Sequence, residues 1–180
     1  VNPRFLLNTL AYIRSLIERS PEKAIYSIEN LSEIMSYMLY ETSAGKVPLN
    51  NEINYINNYL KLLEVRYPPG YIAFEVAGEA SGLKVPPLLF MPFLESTFST
   101  AQEDSPDRPG ISITLLINGN GLIFAVTNYI SDRSEGLKDE KAVSLSSIKR
   151  FLDLEFGESY TLETMEENNK SIVKLNIKLL

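Results

Sequence analysis

Cysteine and histidine are both missing from the 180 residues. Without cysteine there is no disulfide framework and no thiolate metal site, a usage compatible with a reducing compartment. Without histidine, every mechanism that needs an imidazole nucleophile, base or metal ligand from this chain is excluded. No apolar run reaches the length of a membrane span and no signal-peptide pattern occurs, so the piece is expected to be soluble. Cationic clusters are scarce as well. With 17 Lys and Arg against 23 Asp and Glu, a net charge of −6 and no dense basic run, a nucleic-acid partner is not expected. The chain opens on Val1 instead of Met, so a fragment or processed product is expected.

What is present is enough apolar matter, 44% of residues, to bury one or two small cores, and one domain with a helical appendage is expected. Leu6, Leu10, Ile13, Leu16 and Ile17 step by three and four, which predicts a helix up to Ser20-Pro21. Ser20 is placed to cap a second helix and Pro21 to take its first position. Ala24, Ile28, Leu31, Met35 and Met38 then draw one seam along it. Two helices with so short a joint make an antiparallel hairpin. Its apolar stripe needs a cover, either a second copy completing a four-helix bundle or the rest of the chain. A third helix follows, with Asn50 as cap candidate, Glu52 in its first turn and a stripe of Ile53, Ile56, Leu60 and Leu63.

Pro68-Pro69-Gly70 ends that helix, and Ile72, Phe74 and Val76 alternate as a short strand. The run from Val85 to Ala101 predicts a buried helix. Pro86 and Pro87 stand where a helix begins, Leu88, Met91, Leu94 and Phe98 follow at helical spacing, and one carboxylate, Glu95, lies near the middle. Such an acid either reaches solvent at the helix edge or has a task. After a polar loop from Gln102 to Gly110, Ile111, Ile113, Leu115 and Ile117 alternate. Asn118-Gly119-Asn120-Gly121 turns the chain, and Leu122, Phe124 and Val126 return. A second hairpin leads from Tyr160 and Leu162 through Glu166-Glu167-Asn168-Asn169 to Val173, Leu175, Ile177 and Leu179. The fold class is α+β: a helical hairpin, then a two-layer α/β sandwich with a mixed, mainly antiparallel sheet.

Four of these stretches, in their order and spacing, resemble the core of LytS-type sensor histidine kinases, whose nucleotide-binding half is a GHKL domain. Asn2, Pro3, Phe5, Leu6, Asn8, Thr9 and Leu10 match the motif around the phosphoacceptor His, but that position is Arg4. A guanidinium stays protonated and has no lone pair with which to attack phosphorus. Val47, Leu49, Glu52, Ile56, Tyr59, Leu60, Glu64 and Arg66 match the linking helix. Pro86, Pro87, Leu88, Pro92 and Glu95 match the N-box, where the family's Asn, Lys, His and Gly have become Ser96, Ser99, Thr100 and Ala101.

The resemblance implies a dimerising hairpin over residues 1–45 and a linking helix plus GHKL ATPase-like domain over 46–180, in the cytoplasmic part of a membrane-anchored protein. It gives Glu95 the general-base position, where it could also pair with Arg4 and latch the two parts together. It gives Asn128 the place that reads the adenine amino group. The glycines of the phosphate loop are Ala142 and Ser144, and that loop's Asn is Ser147, although Ser144 to Ile148 also reads as an ordinary helix start capped by serine. Each added Cβ narrows φ and keeps backbone amides from phosphate oxygens, and Ser96 replaces the magnesium-binding Asn. The expectation is a pseudokinase of two-component signalling: a homodimeric scaffold with a response regulator or partner kinase, no metal or cofactor expected, and ATP and Mg held weakly if at all. The alternative is an ATP-binding histidine kinase or ATPase of weak activity acting on a partner.

Overall fold

The computed structural model describes the backbone of residues 3–43, 45–100, 109–129, 138–167 and 169–179, and the side chains of all of these except 3, 4, 100 and 138–144. Helix α1 spans Pro3–Arg19 and α2 spans Pro21–Tyr40. Pro21 takes the first position of α2, as expected, yet the Ser20 side chain makes no capping bond; its carbonyl accepts the Ala24 amide at 3.1 Å instead. The expected seam of α2 is split. Ala24 and Leu31 are buried together with Ser27, Asn30 and Ile34, whereas Ile28 and Met35 stay 52% and 42% exposed. The buried Ser27 hydroxyl and Asn30 amide each donate to the carbonyl four residues back, so those polar groups enter the interface already satisfied.

Strand β1 (Val47–Pro48) pairs antiparallel with β3 (Lys84–Val85). Between them lies α3 (Leu49–Glu64), which starts at Leu49 with Pro48 as its cap residue. Asn50 is therefore inside the helix and caps nothing. The Leu49 amide, an end group that would otherwise lack an acceptor, donates to the Leu83 carbonyl at 2.9 Å across the small sheet. Helix α3 packs on the hairpin through rings: Phe5 on Tyr59 at 5.0 Å and Tyr37 on Tyr55 at 4.7 Å. The Tyr12 hydroxyl adds a bond to the Val65 carbonyl.

The main sheet contains β2 (Ile72–Ala77), β4 (Ile111–Asn118), β5 (Gly121–Tyr129), β6 (Tyr160–Glu167) and β7 (Lys170–Lys178), in the order β2-β4-β5-β7-β6. Only β2 with β4 is parallel. The predicted alternation holds in the central strands, where Ile111, Ile113, Leu115, Leu122, Phe124 and Val126 are all buried. It fails at the far end of β2, an edge strand, where Val76 is 40% exposed. Gly119 takes φ +57 in the β4–β5 turn, and the neighbouring Asn120 exchanges bonds with Leu179.

Helix α4 (Met91–Thr100) lies on this sheet, with Phe90 and Phe93 against Phe124. It does not begin at the proline pair. Pro87 to Phe90 form a turn in which Leu88 takes φ +60, and Pro92 is the second helical residue, where its missing N–H removes no bond. Helix α5 (Lys138–Phe156) covers the sheet beside it through buried Ile148 and Leu152. Most of the expected polar loop, residues 101–108, lies outside the described residues.

Candidate functional site

Helix α4 points two consecutive side chains in different directions. Glu95 is half-buried and faces α3: Tyr55 and Tyr59 have phenols pushed up first by burial, with the Glu95 charge adding to the shift in both. Ser96 faces the sheet, where with Asn128 and Ser171 it lines a cavity of about 130 Å³. Asn128, 3% exposed, sits near the end of β5 opposite Ser171 of β7, and its side-chain amide donates to the Tyr129 carbonyl at 3.3 Å. Of the expected residues, these are the two brought together at one cavity.

Sequence reasoning missed Thr97 and Ser171, although the strand alternation that buries Asn128 also turns its cross-strand partner inward. Ser99 is exposed and its hydroxyl donates to the Ser96 carbonyl. Ser147 is exposed as well and does not line the cavity; Leu145 and Ile148 are the residues of α5 that do. The side chains of Arg4, Thr100, Ala142 and Ser144, and with them the Arg4–Glu95 latch, lie outside the described residues.

The backbone at the phosphate-loop position departs from expectation. Helix α5 starts at Lys138, so the backbone of 142 to 147 lies inside it and the helix start is not at Ser144. From residue 142 onward the amides have helical carbonyls four residues back as acceptors, and amides engaged in that way are not offered to phosphate oxygens. The cavity is under half the roughly 300 Å³ at which small-molecule pockets begin. Phe93, Ile148, Met165 and Val173 form much of its wall, and among the described residues Glu166 is the one charged side chain that lines it. Among the described residues no group of three or more acidic, His or Cys side chains could hold a metal. None of the described residues that line the cavity is a cation that would pair with phosphate.

A tightly held buried polar group lies elsewhere among the described residues. Glu52 is fully buried; its Oε1 accepts the Tyr37 hydroxyl at 2.5 Å and the Leu88 amide at 2.6 Å. The amides of Leu89 and Phe90 also favour the carboxylate, although Oε2 gains no hydrogen bond from them. Burial pushes this carboxyl up, and the surrounding donors offset part of the shift. Successive amides converging on an anion form a nest, which is what the left-handed Leu88 accomplishes. That conformation costs a non-glycine residue about 1–2 kcal/mol, and a charge-assisted hydrogen bond of about 1.5–3 kcal/mol is of the size to hold it. Glu52 was legible as a motif residue, but its spacing gave no sign of this task.

Comparison with known proteins follows the same outline. A histidine kinase family model matches residues 1–70. The chain is 25% identical to sensor protein LytS of Oceanobacillus iheyensis over 97% of its own length and 32% of that protein's. With sensor protein kinase HptS of Staphylococcus aureus it is 24% identical, over 93% of this chain and 34% of that one. The chain thus spans about a third of the length of the curated relatives it matches. Among solved structures, a histidine kinase domain of a blue-light activated kinase from Erythrobacter litoralis superimposes with a TM-score of 0.50 at 15% identity, covering 94% of this chain and 83% of that one. A bacterial phosphotransferase does so with 0.52 at 9% identity, covering 94% and 88%. These likenesses bear out the fold, and the LytS-type resemblance extends along nearly the whole chain.

Proposed function

We propose that this chain, similar to LytS-type sensor kinases in motif order and to histidine kinase domains in fold, is a signalling core of the two-component kind that has given up phosphoryl chemistry. It works through shape, as a homodimeric scaffold on the cytoplasmic side of a longer, membrane-anchored protein, where a response regulator or a partner kinase meets it. One observation carries this reading: the cavity lined by Ser96 and Asn128, positions that the resemblance gives to nucleotide binding, is narrow and mostly apolar with no lining cation among the described residues, and the helix beside it has amides with partners of their own. Arg4 at the acceptor position supports it from the sequence side.

Calorimetric titration of the chain with ATP and magnesium tests the reading. Binding weaker than about 1 mM, worth under roughly 4 kcal/mol, is expected, together with no labelled protein after incubation with γ-labelled ATP. Micromolar binding, or label on the chain or on an added partner, would establish the weakly active kinase or ATPase instead.

A further inference from the structure

We infer that Glu52 is a positioning residue that ties the state of the helical hairpin to the placement of α4. Three parts of the fold meet at its carboxylate. Tyr37 belongs to α2, Glu52 to α3, and Leu88 to the turn that launches α4. The Leu88 amide donates to Glu52 while the Leu88 carbonyl accepts the Met91 amide, at 3.2 Å, where α4 begins. One residue is thus gripped on its N–H side by the linking helix and on its C=O side by the helix that carries Glu95 and Ser96. The β1–β3 pair and the bond from Leu49 to Leu83 hold the turn beside the start of α3.

Two features make this more than ordinary packing. Glu52 is fully buried, so a donor withdrawn from it is not replaced by bulk water. Leu88 is in a left-handed conformation that its side chain disfavours, so the turn has somewhere to relax once the grip loosens. A rotation or slide of α2 that carries the Tyr37 hydroxyl off Oε1 therefore unbalances the carboxylate, frees the Leu88 turn and shifts α4. Among the described residues the hairpin carries most of the exposed large apolar side chains, and its packing is where a partner or an upstream domain would act. Glu52 passes that change to the cavity-lining helix.

The inference rests on the proposed signalling role only in naming α4 as the responding helix, and its test uses no nucleotide, so either can fail alone. Hydrogen exchange is measured by mass spectrometry on the wild-type chain and on Tyr37→Phe, Glu52→Gln and Glu52→Ala, with folding of each verified by circular dichroism. Tyr37→Phe is expected to speed exchange of amides 88–94 about tenfold, the loss of one hydrogen bond to a charged group, while amides 111–128 of the sheet keep their rates. Glu52→Gln retains an acceptor oxygen and is expected to protect 88–94 better than Glu52→Ala. The inference is overturned if Tyr37→Phe leaves 88–94 unchanged, if the sheet amides accelerate equally, which marks a merely structural role, or if the Gln and Ala variants behave alike.

Discussion

At the scale of the residue, a carboxylate held away from water makes stability depend on pH in the sense opposite to that of an acid in a surface ion pair. Burial raises the Glu52 carboxyl in the folded chain above its unfolded value of about 4.3. Between those two values the folded state binds more protons than the unfolded state, so stability falls as pH rises. The Glu52 contribution is fully present below about pH 4.3 and is lost as pH passes the folded value. Glu52→Gln has no such proton to lose. Urea midpoints taken from about pH 4.3 to neutrality should therefore decline more steeply for the wild type than for this variant, and parallel declines would refute the assignment. Asn128 and Ser96 were singled out by the family resemblance, and spacing adds only that they fall on the strand and the helix that periodicity predicted. Ser147 was not legible, because its facing depends on where α5 begins, and that is decided several residues upstream.

At the scale of the element, periodicity located α1 to α4, α5 was expected only from the family resemblance and a serine cap, and three starts were misplaced. Helix α4 begins after its proline turn, since the Leu88 amide goes to Glu52 and not into the helix. Helix α3 begins without a side-chain cap, because a carbonyl 34 positions away, that of Leu83, takes the Leu49 amide. The strand ends obey close-range sterics that composition does not display. Gly78 has φ +103, and a Cβ there would stand 2.1 Å from the Ile117 carbonyl oxygen. Gly70 has φ +73 but open space around it. Gly78→Ala is expected to lose about 2–4 kcal/mol from conformational strain plus overpacking, against about 1–2 kcal/mol for Gly70→Ala from strain alone. Chemical denaturation of the two variants side by side measures the gap, and equal losses would mean that the β2 end moves aside freely.

At the scale of the whole molecule, the hairpin leaves Leu7, Ile17, Ile28 and Leu39 between 52% and 70% exposed, large apolar side chains that a partner surface would cover. Pairing of two hairpins into a four-helix bundle is the expected cover. Sedimentation equilibrium should return twice the chain mass. The double variant Ile28→Glu, Met35→Glu should return the single mass with its helical signal kept, since neither side chain is buried within the chain; a monomeric wild type would remove the dimer from the proposal. Taken by itself, the sequence determined α1 to α4, the two hairpins, their order, the layered α+β class and the loss of imidazole chemistry, because these follow from local periodicity, turn residues and the plain presence or absence of a functional group; the β1–β3 pair and the start of α5 were not legible in it. Only the tertiary structure decided that Ser96 and Asn128 share a small, mostly apolar cavity, that Glu95 turns toward α3, and that Glu52 gathers Tyr37 and Leu88. Each of those depends on residues 15 to 40 positions apart or on neighbouring strands, and the angle at which two elements meet is set by the packing of all the others, not by the letters of either.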